Sequence, residues 1–252
     1  EVAFKLYDTY GFPLDLTADI LRRENKKVDE AGFAAAMAEQ KARAKAAWKG
    51  SGEKATDEVW FDIKEEFGAT EFLGYSADKA QAKVVAIVKD GIRQQALGAG
   101  ERGAVITNQT PFYAESGGQI GDSGSLNKSV VTDCKKMLGE LHVHFVDAKD
   151  EIKVGDTAEL EIDVKRRNSI RANHSATHIL HKVLREVLGD HVTQKGSLVT
   201  AERLRFDISH NKSLSLEETK KIEDEVNSRI RANNVVGTKL MTPDNAKKAG
   251  AM

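Results

Sequence analysis

A chain of 252 residues, 40% hydrophobic and 31% charged, holds enough apolar material for one or two cored domains, or three small ones, and too much for a disordered segment. Its net charge of −1 leaves no global cationic surface, so any nucleic-acid contact must come from local basic patches. One cysteine, Cys134, excludes an internal disulfide framework and fits a cytoplasmic setting; no apolar run approaches the roughly 18 residues of a bilayer span, and no signal peptide is visible.

Residues 1 to about 80 favour helices. Thr17 is placed to cap a short helix through Ile20 and Leu21, and Asp29 a longer one that Gly50 ends. Alanine enriches the middle of that second helix, Phe33 to Trp48. Lys41, Arg43, Lys45 and Lys49 make its later half basic. This is either a solvated face that complements a helix C-terminus or a contact for a nucleic-acid backbone. Gly50 to Thr56 is expected to be a linker.

From 81 to about 165 the pattern changes. Lys83–Lys89 is a β-branched run, and Asp90-Gly91 is a hairpin signal with a return strand after it. Short strands are expected at Ala104–Thr107, Ser129–Cys134, Leu141–Val146 and Ala158–Val164. The last alternates Leu160, Ile162 and Val164 with Glu159, Glu161 and Asp163. Repeated short strands with glycine-rich turns suggest a small barrel or sandwich.

Residues 166–252 mix helix and strand. A helix is expected from Asn173 to Leu188, ended by Gly189, with strands near Ser197–Val199 and Leu204–Ile208. Ser215 and Glu218 have capping-box spacing, opening a helix to about Ala232. Val235–Leu240 is a strand candidate, and Thr242-Pro243 starts a short final helix. The predicted class is α+β: an N-terminal helical segment over 1–80, a small antiparallel β-barrel over 81–165, and an α+β core over 166–252.

Three segments carry candidate chemistry. In Asn173-His174-Ser175-Ala176-Thr177-His178, the two imidazoles lie four residues apart and can converge on one ion from a helix. His181 shares their face. Ile179, Leu180, Val183, Leu184, Val187 and Leu188 form the opposite, apolar stripe. The spacing resembles a zinc-protease helix, but Ser175 replaces the glutamate base, so protease chemistry is disfavoured. Two histidines leave a zinc site incomplete. Cys134 is expected to be a small buried thiol rather than a third ligand. The plain alternative is a pair of polar helix positions.

The second segment is Thr110-Pro111-Phe112-Tyr113-Ala114-Glu115-Ser116-Gly117-Gly118-Gln119, with Gly121, Asp122 and Gly124 beyond it. Its glycines allow close backbone approach to a phosphate, ribose or aminoacyl ester, or simply a tight turn. It lacks the Lys-Ser/Thr ending of a nucleotide-triphosphate loop. The third is His191-Val192-Thr193-Gln194-Lys195-Gly196-Ser197-Leu198-Val199, followed by Leu204 to His210. Gln194 is either a substrate contact or an exposed turn amide. Phe206 and Ile208 are expected in the core. Asp207 and His210 are either partners of the histidine pair or surface residues.

Together these segments resemble alanyl-tRNA synthetases. The similarity opens at Phe4-Lys5-Leu6-Tyr7-Asp8-Thr9-Tyr10-Gly11-Phe12-Pro13-Leu14-Asp15-Leu16-Thr17 and continues through Phe112 to Gln119. It is strongest across Arg171 to His178 and Gln194 to Val199. The resemblance implies an editing region that hydrolyses seryl- or glycyl-tRNA of the alanine isoacceptor. Zinc would be held by His174 and His178. Thr177 and Gln194 would meet the aminoacyl group, and Glu115, Gly117, Gly118 and Gln119 would shape the pocket mouth. Arg171, clustered with Lys165, Arg166 and Arg167, would face the tRNA acceptor end; the alternative is an exposed helix start.

The resemblance also places ATP, magnesium and the synthetic site upstream. Both chain ends read as cuts in a longer protein, and the family's later Cys-x-x-x-His is missing after His210. Weak or absent zinc binding and poor editing are therefore expected of this chain alone. No membrane and no obligate protein partner are expected. A free-standing aminoacyl-tRNA hydrolase and a non-catalytic tRNA-binding module are the rival functions.

Overall fold

The computed structural model describes residues 2–10, 14–23, 26–37, 54–237 and 239–250. The chain divides into two compact units, Glu1–Asp57 and Glu58–Met252. The first contains α1 (Val2–Tyr10), α2 (Leu14–Arg23) and a helical stretch at 30–37, α3. Asp29 caps α3, its Oδ1 accepting from the Gly32 backbone N–H at 2.8 Å. Thr17 does not cap a helix. α2 already starts at Leu14, which puts Thr17 in its second turn with its side chain buried. The expected end at Gly50, the cations from Lys41 to Lys49 and most of the alanine-rich run lie outside the described residues. So does the expected linker up to residue 53; from Lys54 onward the chain is helical, in α4 (Lys54–Phe67).

The second unit is built on a closed barrel. Its short accessory strands are β1 (Glu71–Phe72), β3 (Ile92–Gln94), β4 (Ala96–Leu97), β6 (Gln109–Thr110) and β10 (Ile152–Lys153). The six barrel strands are β2 (Lys79–Lys89), β5 (Arg102–Thr107), β7 (Gly124–Leu126), β8 (Ser129–Met137), β9 (Leu141–Asp147) and β11 (Thr157–Ile162). They pair antiparallel in the ring β2-β5-β9-β8-β7-β11, and β11 closes back on β2 with Leu160 opposite Ala80. Closure leaves no barrel strand with an unpaired edge along the ring.

The expected β-hairpin is present. Asp90 and Gly91 take φ of 51° and 76°, joining β2 to β3 with Val88 opposite Arg93. Two positive φ values in a row are the signature of the turn whose twist suits paired strands. Leu160 and Ile162 of β11 enter the interior cluster with Val84, Val105, Phe112, Val131 and Cys134, as their alternation predicts. β11 stops at Ile162, however: Asp163 caps the next helix, so Val164 is helical and exposed rather than the last inward strand residue.

A register shift in β2 between Val84 and Ala86 changes which face its side chains occupy. Ala86 and Val88 join Ala104, Ile106, Leu141 and Val143 in a second cluster, which Trp60 and Ile63 of α4 complete. This packing joins residues 58–80 to the barrel within the second compact unit.

α5 (Val164–Leu188) then runs for 25 residues. It begins well before the expected Asn173 because Asp163 accepts from the Arg166 N–H at 2.9 Å, an N-cap hidden behind a strand-like Val164. Its apolar stripe packs with Val192, Phe206 and Ile208 and with Ile222 and Val226 of α6 (Leu216–Ala232). β12 (Gln194–Val199) and β13 (Leu204–Ile208) form the hairpin between the two helices. α6 opens with the expected reciprocal Ser215–Glu218 box, and α7 (Pro243–Lys248) opens with Thr242 as cap and Pro243 first.

No strand forms among the described residues of 235–240. Val235 and Leu240 are 98% and 100% exposed, and a β-branched run without a neighbouring ladder has nowhere to place its backbone groups. Among the described residues no helix is long and apolar enough to cross a membrane.

Inside the barrel, His144 is fully buried. Its Nδ1–H donates to Val105 O at 2.9 Å, and its Nε2 accepts from the Thr110 hydroxyl at 2.8 Å. Burial holds the His144 pKa at about 4, and burial with the nearby Lys136 charge holds His142 at about 4. Both depressed values mean that the folded state binds fewer protons than the unfolded one. Stability is therefore complete above the ordinary histidine pKa of about 6.5 and is lost as pH falls toward 4. Urea unfolding midpoints are expected to drop between pH 7 and 4.5. His144→Gln is expected to be less stable at pH 7 but to lose less on acidification.

Candidate active site

The first half of α5 presents one polar stripe. Arg167, Arg171, His174 and His178 follow at spacings of three or four and so stack along one helix face. The structure places the base of this stripe inside the protein. Arg167 and Asp122 form an ion pair with side chains 8% and 2% exposed. Arg167 Nε donates to both Asp122 oxygens at 2.8 Å, while Nη2 donates to Pro111 O at 2.9 Å and Nη1 to Gly74 O at 3.2 Å. Asp122 also accepts from the Tyr113 N–H at 2.8 Å. Arg167 is thus no part of an exposed basic patch; it fastens α5 to two loops of the barrel at three points. Lys165 and Arg171 are exposed, and Arg166 is half-buried, donating to Gly121 O at 2.8 Å.

Above this tether a cleft of about 380 Å³ opens. It is lined by Gln119, Arg167, Arg171 and His174 and by the aromatic rings of Phe72, Tyr75 and Tyr113. Gln119 reaches it from the glycine-rich loop, where Gly117 and Gly118 take φ of 59° and 82°. Gly118 is pressed against the next element. A Cβ there would lie 2.7 Å from Ser197 O, and the backbones join through Val199 N–H to Gly118 O at 2.7 Å. The loop therefore adds itself to β12, and only glycine meets both the approach and the positive φ.

Gln119 Oε1 lies 2.6 Å from His174 Nδ1. An amide oxygen can only accept, so Nδ1 carries the proton and Nε2 keeps a free lone pair. Burial, then the neighbouring His178, lowers the His174 pKa, which favours the neutral ring. The His178 ring stacks on it at 5.0 Å and 18°. A neutral imidazole with one nitrogen committed to an amide oxygen suits a metal ligand or a proton acceptor. The donor set fits half of a zinc site. Among the described residues no group of three or more His, Cys, Asp or Glu is arranged to hold a metal. Cys134 lies in the barrel core, where burial pushes its thiol pKa well up, an environment for a packing residue.

Other predicted residues lie elsewhere. Thr177 is buried, with its hydroxyl donating to Asn173 O at 2.8 Å. Glu115 and Gln194 are exposed and do not line the cleft. Asp207 pairs with Arg205 at 3.1 Å, and His210 Nδ1 lies 2.9 Å from His191 Nε2, so neither partners the His174–His178 pair. Asn173 Nδ2 donates to Thr200 O at 2.9 Å and fixes the β12–β13 turn against the helix. Sequence reasoning placed Asp122 in the glycine-rich segment without giving it a role of its own, and it did not single out Phe72 and Tyr75. The signal for Arg167 was present, four residues before Arg171 and seven before His174.

This second unit thus couples a closed antiparallel barrel to a helix bearing paired histidines, and the whole chain matches known proteins. A family model described as class II (A) tRNA synthetases matches residues 1–166, and the chain belongs to that family. Over its full length it is 57% identical to proteins named alanine–tRNA ligase from Sphingopyxis alaskensis and Rhizorhabdus wittichii, and 56% identical to the one from Dinoroseobacter shibae. It spans 29% of the length of each. The histidine pair lies beyond the residues that the family model matches and within those aligned to these relatives.

Removing one member of the Arg167–Asp122 pair strands a buried charge. Arg167→Met or Asp122→Leu is expected to cost about 3–5 kcal/mol in chemical denaturation, and the double variant clearly less than the sum.

Proposed function

We propose that this chain contributes an editing site to a longer alanine–tRNA ligase, hydrolysing the ester of seryl- or glycyl-tRNA made for alanine. The observation that carries this reading is the His174–Gln119 bond. It leaves an unprotonated imidazole nitrogen on the wall of a cleft, with His178 stacked beside it and Arg171 one turn below. The names of the relatives support the tRNA substrate. The need for editing follows from size: a pocket for alanine admits glycine and discriminates only about a hundredfold against a ligand that merely adds a hydroxyl. Attachment of alanine with ATP and magnesium belongs, in this reading, to a segment outside the chain.

Each residue then has a defined task. Arg171 and Lys165 offer cations to the phosphates of an acceptor end. Gln119 holds the His174 tautomer. His174 and His178 would hold zinc, which when bound supplies polarisation of the ester carbonyl or a water of lowered pKa. Gly117 and Gly118 let backbone approach the aminoacyl group, while Glu115 and Gln194 stand outside the cleft and Thr177 is buried with its hydroxyl on Asn173 O. Two imidazoles are fewer ligands than a structural or catalytic zinc requires, so zinc binding by this chain alone is weak in this reading.

The test is deacylation of seryl-tRNA(Ala) by a form extended to the length of its relatives. His174→Ala and His178→Ala are each expected to slow hydrolysis about a hundredfold or more while alanine attachment persists. Undiminished deacylation in both would remove the site assignment, and zinc-loaded protein without deacylation would favour a binding module. Separately, metal analysis of the present chain is expected to find well under one tightly held zinc per molecule.

A further inference from the structure

The cleft has an aromatic wall to which no role has been given. Tyr75 is 92% exposed although it lies on a loop with little freedom. Ser76 and Ala77 N–H groups bond to Leu73 O at 3.0 and 3.1 Å, and Gly74 O accepts from buried Arg167. Behind it the Phe72 ring meets Tyr75 edge to face at 5.1 Å and stacks on His142 at 5.4 Å and 3°. A large aromatic ring held out in water on a braced loop gains little for folding, and such residues mark binding surfaces. Arg171, exposed and without an ion-pair partner among the described residues, lines the same cleft.

A rigid aromatic face beside an unpaired cation is the chemistry that holds an unpaired nucleotide: the ring stacks on the base while the cation meets the adjacent phosphate. We infer that Tyr75 is the stacking platform for the terminal unpaired base of an RNA 3′ end, with Arg171 on its phosphate, so that the terminal ribose is delivered toward His174. The inference deepens the editing reading and rests on it for the identity of the RNA. The contact with Phe72 is edge to face at 76°, not a parallel stack, and Tyr75 stays 92% exposed, so ring surface remains open to a base. The cleft volume of about 380 Å³ falls in the range of small-ligand sites.

Binding is measured with an uncharged RNA hairpin whose single-stranded 3′ end closes on adenosine, and with the same hairpin lacking the terminal base. Tyr75→Ala is expected to weaken binding of the first about tenfold, while Tyr75→Phe retains it. The hairpin without the terminal base is expected to bind the unchanged protein about tenfold more weakly and to be indifferent to Tyr75→Ala. Arg171→Gln is expected to weaken both, with a shallower salt dependence. Wild-type binding by Tyr75→Ala, equal loss for both hairpins, or no binding of either would overturn the inference. Because the readout is binding rather than ester hydrolysis, Tyr75-dependent binding by a form extended to the length of its relatives that shows no deacylation would sink the editing reading and leave this one standing.

Discussion

The Arg167–Asp122 ion pair is the constraint on which the rest of the second unit depends. A buried guanidinium would be unfavourable without full compensation, and here the carboxylate and two backbone carbonyls take its donors. The four partners come from separate places: Asp122 and Pro111 from either side of the glycine-rich loop, Gly74 from the loop carrying Tyr75, and Arg167 itself from α5. One side chain therefore sets the distance between barrel, loop and helix. The planar fork of arginine is essential to this; a lysine ammonium at the same place would supply a charge without reaching all three partners.

The cleft inherits its geometry from that tether. Arg171 and His174 follow Arg167 along one stripe, so fixing the first turn of α5 aims the next two. Gln119 comes from the loop that Asp122 ends, and it meets His174 because both ends of the contact are anchored. The histidine pair is consequently a product of the whole junction. Burial and the second imidazole lower the His174 pKa, and an amide oxygen on the barrel side sets the His174 tautomer.

Much of this was legible in the chain. Strict alternation at Leu160 and Ile162, the Asp90-Gly91 turn and the Ser215–Glu218 box each report a local rule, and local rules hold where no distant partner intervenes. The failures have a common cause. Val164 continues a strand pattern yet is helical because Asp163 caps. Val235 to Leu240 has strand composition and no partner strand. Thr17 has a capping side chain inside a helix that begins earlier. In the site, the histidine spacing was readable, whereas Asp122 and Tyr75 matter only through residues far away in sequence. For Asp207 and His210 the sequence left two readings open, and the hairpin decides between them by turning the two residues to Arg205 and His191.

The contact between Gly118 and Ser197 couples two histories. A loop of the barrel and a hairpin of the α+β half meet backbone to backbone, in a gap narrower than a methyl group. Neither segment can drift alone: any side chain acquired at the glycine would have to be matched by a redrawn hairpin. The two halves of this unit are thereby bound to evolve as one piece, and transplanting the histidine helix onto another barrel would leave it without the amide that orients it.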